Sequence, residues 1–221
     1  MSLPFETRTY HLRGLTPLMG GQPASAEIRS KWIGSKAPTP ELIEAEAEAK
    51  LPCVDEEQGF TVFCRDPKNG NLTLMDYQVR GLIKGCLEGM QGVNGIAQPR
   101  AKVDKYVMVL ERYIPLTRGG EPIYGEDAIN ERPLRAKTMQ GERNALAASE
   151  LIEDWECEFT IMLIPNNGTK SSKKVTWAAI EQGLDYGAYQ GLGQWRNGGY
   201  GKFEWNMVKC DPGKFKAEAE E

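Results

Sequence analysis

Histidine is almost missing from this chain: its 221 residues include one, His11. The cysteines, Cys53, Cys64, Cys86, Cys157 and Cys210, are odd in number, scattered, and nowhere spaced as metal ligands. These two shortages argue against a zinc centre and against a disulfide framework, so a reduced interior and no metal are expected. No apolar run approaches the roughly 20 residues that cross a bilayer. Charge follows directly on Met1–Phe5, so no signal peptide is expected either. The chain reads as cytoplasmic, without a membrane partner. Also missing are a Ser–His–Asp set, a phosphate-binding Walker loop and a dinucleotide fingerprint. The Gly191-x-Gly193 pair follows a helical stretch, whereas that fingerprint follows a strand. No cofactor and no catalytic residue are assigned.

A basic excess is absent too, for the net charge is −4, which disfavours a simple basic nucleic-acid binder. The acidity is local, however. Residues 41–57 carry −6 and residues 216–221 carry −2, which leaves the remainder at +4. A basic groove elsewhere is compatible with these numbers.

What is present in excess is glycine near the C-terminus. Gly191-Leu192-Gly193-Gln194-Trp195-Arg196-Asn197-Gly198-Gly199-Tyr200-Gly201-Lys202-Phe203 sets five glycines among an Arg, a Lys and the aromatics Trp195 and Tyr200, with Phe203 at its end. Such a cluster points to positive φ angles or to close approach of a ligand or another chain. Two readings stand side by side. Bare N–H groups beside Arg196 and Lys202 would suit a phosphate, with Trp195 or Tyr200 stacking on a base; alternatively, the glycines make a tight turn closing a sheet.

The pattern of strands and helices gives this loop a position. Phe5 to Gly14 reads as a strand. Residues 15–75 form a long excursion with helices near Ala26–Ile33 and from Thr39, where Pro40 suits the first helical position. Phe60–Cys64 and Leu72–Met75 pair across the Asn69-Gly70 turn. Asp76 caps a helix carrying Val79, Leu82, Ile83, Leu87 and Met90, which Gly89, Gly92 and Gly95 end. Tyr106–Leu110 reads as a central strand, residues 111–150 as irregular and Arg-rich. Trp155–Ile164 alternates most clearly, with Trp155, Cys157, Phe159, Ile161 and Leu163 on one face. Thr176 caps a helix with Trp177, Ile180 and Leu184, whose Gly183 and Gly187 allow another element close. Tyr200–Cys210 is the last strand. Without its excursions the order is βαββαβ: an α+β, ferredoxin-like (RRM-like) core in a single domain spanning 1–221. Its large insertions are 15–75, after the first strand, and 111–150, between the second and third core strands.

Three segments, in the right order, resemble the RAMP (repeat-associated mysterious protein) superfamily, which includes backbone subunits of CRISPR effector complexes. Leu12-Arg13-Gly14-Leu15-Thr16-Pro17-Leu18-Met19-Gly20-Gly21 is similar to that family's opening strand and turn. Tyr77-Gln78-Val79-Arg80-Gly81-Leu82-Ile83-Lys84-Gly85 is similar to its first helix, although the serine-rich step before the lysine is here Val79-Arg80-Gly81. Gly193 through Phe203 resembles its glycine-rich signature. Leu134-Arg135 ahead of Glu150 is similar to its inserted segment. The resemblance implies binding of RNA along a groove, and assembly into a homo-oligomer or with other effector-complex subunits; a stray or phage-borne relative fits the same motifs.

On this reading the nucleic-acid contacts are Arg196, Asn197 and Lys202 in the loop, with Trp195 and Tyr200 as stacking surfaces. Arg80 and Lys84 make a basic stripe on the first helix. Arg132, Arg135, Lys137 and Arg143 form the densest basic stretch, suited to sequence-independent backbone contacts. The partner expected is single-stranded RNA, with single-stranded DNA as the alternative. Two other functions stay open. His11 is the candidate general acid or base of a metal-independent ribonuclease, since some RAMP relatives cleave RNA with a histidine. The aspartate that cuts target RNA in some backbone subunits has no counterpart between Gly14 and Pro52. Otherwise the acidic segments 41–57 and 216–221 make an assembly or inhibitor module.

Overall fold

The computed structural model describes residues 5–24, 59–138, 141–165 and 174–214, with the backbone alone at 133–138 and 141–146. The two helices expected within 26–50, both acidic segments and Cys53 lie outside these residues. In chain order the elements begin with β1 (Thr7–Gly14), β2 (Leu18–Met19), β3 (Gln22–Pro23), β4 (Gly59–Val62), β5 (Cys64–Arg65) and β6 (Leu72–Met75). Helices α1 (Asp76–Gly89), α2 (Gln91–Asn94) and α3 (Pro99–Tyr106) follow, then β7 (Val107–Val109), β8 (Tyr113–Arg118) and β9 (Glu121–Pro122). A long hairpin, β10 (Ala128–Thr138) and β11 (Gly141–Ile152), precedes β12 (Glu156–Leu163), α4 (Trp177–Gln190) and β13 (Phe203–Asp211).

The first sheet runs β13-β1-β12-β8-β6-β5, and β7 also pairs with β12. Its centre has the antiparallel arrangement of a ferredoxin-like core: the last strand beside the first, the first beside the third, the third beside the second. Alternation on β12 buries Cys157, Phe159, Ile161 and Leu163 as the sequence pattern requires. The buried residues of β1 and β12 join one core with Val79, Leu82, Ile83, Cys86 and Leu87 of α1 and Ala179, Ile180 and Leu184 of α4. The helices approach closely because α4 presents glycine. A Cβ on Gly187 would lie 3.2 Å from Cys86 Sγ and 3.3 Å from Leu82 Cδ1. Thr176 caps α4, its side chain accepting from Ala179 N at 3.2 Å, as expected. Polar tethers supplement this packing. Glu181 of α4 accepts from Arg8 at 2.6 Å and from the Tyr10 hydroxyl at 3.1 Å.

Several expectations are corrected. Met75, not Asp76, is the N-cap of α1, and its N–H donates to Gln78 Oε1 at 2.8 Å. Asp76 instead begins the helix and pairs with Arg80 at 3.0 Å and Arg112 at 2.5 Å. The central strand is Val107–Val109, because Tyr106 closes α3, and the last strand starts only at Phe203. Residues 111–150 are mostly strand rather than irregular. Hairpin β10/β11 is rich in Ala, Arg, Asn and Glu, residues of weak strand propensity, so pairing rather than composition holds it.

The expected pairing of Phe60–Cys64 with Leu72–Met75 is realised only at Cys64–Arg65, across the Asn-Gly turn. Gly59–Val62 instead joins the second sheet, β10-β11-β4-β3, lying parallel to β11. The break between them is Phe63, whose N–H donates at 2.7 Å to Glu150 Oε2. Glu150 is fully buried and also accepts from Arg65 at 3.0 Å. Burial pushes its carboxyl above the ordinary value, against the opposing effect of these two donors. A raised folded-state value means this group favours folding most at acidic pH and less as pH rises through that value. Glu150→Gln keeps an acceptor for Phe63 and removes a buried charge, so its cost in urea unfolding at neutral pH is expected to stay under about 1 kcal/mol. Glu150→Ala strands the Phe63 N–H and weakens the hold on Arg65, and should cost about 2–4 kcal/mol. Equal losses for the two variants would contradict this account.

Candidate nucleic-acid interface

The glycine-rich segment folds back on the turn after β1. Gly201 N donates to Pro17 O at 2.8 Å, Lys202 N to Thr16 Oγ1 at 2.9 Å and Gln194 N to Met19 O at 3.3 Å. Within the loop, Leu192 N donates to Gly201 O at 2.8 Å, Gly198 N to Trp195 O at 2.8 Å and Gly199 N to Arg196 O at 2.9 Å. These amides therefore face the protein itself. At Gly201, where φ is +71°, a Cβ would stand 1.8 Å from Leu192 O; at Gly191, where φ is +87°, it would stand 2.3 Å from Tyr200 O. Close approach of the chain to itself accounts for both glycines. The tight-turn reading describes the backbone, and the phosphate-cradle reading reduces to the side chains.

Those side chains are arranged in two directions. Trp195 takes a left-handed φ of 50° and opens a single 3-10 turn, Arg196–Gly198. Its indole presses on Gly198, where a Cβ would lie 2.7 Å away, and stacks with Tyr200 at 5.2 Å and 17° between planes. Arg132 of β10 sets its guanidinium 4.7 Å from the same ring. It also donates to Ser149 Oγ at 3.3 Å and Met19 Sδ at 3.4 Å. Trp195 is thus already in contact with a phenol ring, a cation and a glycine. It cross-braces hairpin and loop more than it offers a bare surface.

Arg196 is exposed and lines a groove of about 580 Å³ between α1 and the loop. The helix wall of this groove contains Gly81 and Gly85, at neither of which an added Cβ would meet anything within 4 Å. Gln78, Gln194 and Tyr77 supply its polar lining. At one side Arg100 meets Glu88, holding that carboxyl below its ordinary value by a direct hydrogen bond. Beneath the groove, burial between α1 and α4 pushes the Cys86 thiol up to about 11, with Arg196 acting in the opposite direction. Lys202 does not join Arg196. It borders a second groove of about 570 Å³ on the other flank of the loop, with Leu15, Tyr189 and Trp205.

The remaining expected contacts divide by charge pairing. Arg80 and Lys84 are held by Asp76 and Asp104, so the basic stripe on α1 is largely neutralised. Arg132, Arg196 and Lys202 have no carboxylate partner among the described residues. Asn197 is exposed within the 3-10 turn. Arg135, Lys137 and Arg143 lie in the hairpin, opposite Asn144, Glu142 and Ala136. His11 lines neither groove; its Nε2 lies 3.8 Å from Glu156 Oε2, with the side chain 30% exposed. Among the described residues no cluster could hold a metal, and no helix is long and apolar enough to cross a membrane. Sequence reasoning passed over Gly81, Gly85 and Tyr189. The signal for the first two was available, since paired glycines four apart inside a helix cost stability unless something needs the space.

No protein-family model matches this chain, and no curated protein matches it. Among solved structures, a chain of the Type III-B Cmr-beta complex bound to cognate target RNA superposes with a TM-score of 0.48 at 11% identity. The match covers 94% of this chain and 60% of that one, so this chain spans less than two thirds of the length it resembles. A chain of a Type IV-B CRISPR complex superposes with a TM-score of 0.44 at 8% identity, covering 92% and 90%. These neighbours are CRISPR complex subunits with a broadly similar backbone course.

The steric account of the loop predicts unequal costs for its glycines. Gly201→Ala should lower stability by more than about 2 kcal/mol, since a backbone clash adds to a disfavoured φ. Gly199→Ala, at φ +89° but with open space around it, should lose only about 1–2 kcal/mol. Thermal or urea unfolding of both variants distinguishes them.

Proposed function

We propose that this chain is a non-enzymatic binder of single-stranded nucleic acid, RNA in the first instance, acting as a subunit of an oligomeric ribonucleoprotein. The observation that carries the proposal is that Arg132, Arg196 and Lys202, in or against the glycine loop, have no carboxylate partner among the described residues, while Arg80, Lys84 and Arg100 are tied up in ion pairs. Arg196 beside an open, glycine-walled groove suits a flexible phosphate backbone, for the missing Cβ atoms let the sugar–phosphate chain approach the helix, while Lys202 borders the second groove. Both grooves are shallow and polar or aromatic, which fits an extended strand better than a small enclosed substrate. RNA is preferred over DNA because of the ordered motif resemblance to the RAMP superfamily. Assembly with further copies or other subunits follows from the same resemblance. The hairpin, carrying Arg132, Arg135, Lys137 and Arg143, would reach along the strand or toward a neighbour. A ribonuclease reading through His11 gains no support from geometry, since its near neighbour is Glu156 rather than a cation able to stabilise a cleaved phosphate.

Fluorescence anisotropy with a labelled single-stranded RNA tests this. Arg196→Ala should weaken binding about 5- to 20-fold, and one lost phosphate contact should flatten the salt dependence by about 0.7 in log–log slope. Arg80→Ala, whose charge Asp76 already compensates, should change affinity less than about twofold. Absence of any oligonucleotide binding at low salt would falsify the proposal.

A further inference from the structure

Resting on the function proposed above, we propose that the groove beside Lys202 is a second nucleotide subsite, which takes one unstacked base on Tyr189 and its phosphate on Lys202. Tyr189 stands in the last turn of α4 and is 82% exposed. Its ring has no hydrogen bond, cation or aromatic partner among the described residues. A phenol ring so placed offers a stacking face at low conformational cost, because it has only two side-chain torsions to fix. Leu15, 63% exposed, also borders the groove. Trp205 is half-buried and fixed in place, its Nε1 donating to Asp185 Oδ1 at 3.0 Å and its ring edge-on to Tyr10 at 5.6 Å.

The rest of the groove is ordered by backbone and side-chain hydrogen bonds. Leu15 N and Thr16 N both donate to Lys202 O, at 2.8 Å and 3.3 Å, so backbone pairing locks Lys202 against Leu15. Two carboxylates also border the groove: Asp185, which accepts from Trp205, and Glu204, which pairs with Arg13 at 3.5 Å. Lys202 supplies the ammonium among the lining residues, and it has no carboxylate partner among the described residues. Continuity selects a nucleotide over a protein side chain as the occupant. Leu192, Gly193, Gln194 and Arg196 line the first groove and Lys202 and Phe203 the second, so a strand crossing the loop enters both. A volume of about 570 Å³ accommodates one nucleotide.

The experiment uses the full chain and labelled single-stranded RNA, with Tyr189→Ala, Tyr189→Phe and Arg196→Ala compared with wild type. Stacking of one base predicts that Tyr189→Ala weakens binding about 5- to 100-fold while Tyr189→Phe stays within about twofold. An oligonucleotide series with one abasic position moved along the strand should show a position where wild type loses affinity and Tyr189→Ala loses no more. If Arg196→Ala weakens binding and Tyr189→Ala does not, the subsite is wrong and the proposed function stands. If the wild-type chain binds no oligonucleotide, both fall. Should Tyr189→Ala leave RNA affinity intact but abolish association with a protein subunit, the groove is a protein interface and the base assignment is overturned.

Discussion

The arrangement of the grooves depends on one buried carboxylate. Glu150 sits on β11 with no exposed surface, and its two oxygens take the Phe63 amide and the Arg65 guanidinium while its own carbonyl accepts from Gly20 N at 2.9 Å. Three chain segments meet there: the returning strand of the hairpin, the break between β4 and β5, and the turn between β2 and β3. Burying the charge opposes folding, as the raised carboxyl shows. The donors that Glu150 satisfies make it far worse to lose than to keep. This junction fixes the hairpin relative to the ferredoxin-like core. Arg132, opposite Ala147 on the same hairpin, then carries that placement across to Trp195 and the glycine loop. A strand far from the loop in sequence thus sets where the loop's cations point.

The loop itself divides structural from functional chemistry in a way that composition alone conceals. Gly191, Gly193, Gly198 and Gly201 serve the chain's contact with itself, and amides of the loop bond to carbonyls and a hydroxyl of the same protein. Binding capacity is left to the side chains that project from this rigid frame. Rigidity has a direct consequence for recognition, because cations on a fixed loop lose little entropy when a phosphate arrives. Arg196 and Lys202 emerge on opposite flanks, so the loop acts as a ridge between two shallow grooves rather than as a cradle.

How much of this was legible in the sequence depended on whether the signal was local. Alternation over Cys157 to Leu163, the Thr176 cap and the close-approach glycines of α4 are local patterns with one physical solution each, and they appear in the fold as read. The hairpin 128–152 was misread because its strands are built from Arg, Ala, Glu and Asn, which carry no strand signature until they pair. Glu150 was beyond reach for a similar reason: nothing near it in sequence distinguishes a buried junction from a surface acid. Arg80 and Lys84 looked like binding residues because their partners, Asp76 and Asp104, become informative only through helix geometry. Tyr189 was missed since an exposed tyrosine and a core tyrosine read alike.

The ferredoxin-like topology is shared with RNA-recognition folds, whose sheet surface is the binding face. In those folds aromatic residues on the central strands stack bases. The face of this sheet turned away from α1 and α4 places Thr9 opposite Thr160, His11 opposite Glu158 and Arg13 opposite Glu156, with Glu204 beside Arg13 on the other neighbour. Besides hydroxyls it presents Glu156, Glu158 and Glu204 together with Arg13, His11 and, opposite Thr9, Lys209. Its charges are mixed and partly cross-paired, His11 lying near Glu156 and Arg13 near Glu204. Exposed aromatic surface and a cation without a carboxylate partner among the described residues occur together instead beside the glycine loop, where Tyr189 and Lys202 border one groove. On the function proposed here, the binding chemistry therefore lies around the glycine loop rather than on the sheet, with Arg196 in one groove and Lys202 and Tyr189 in the other.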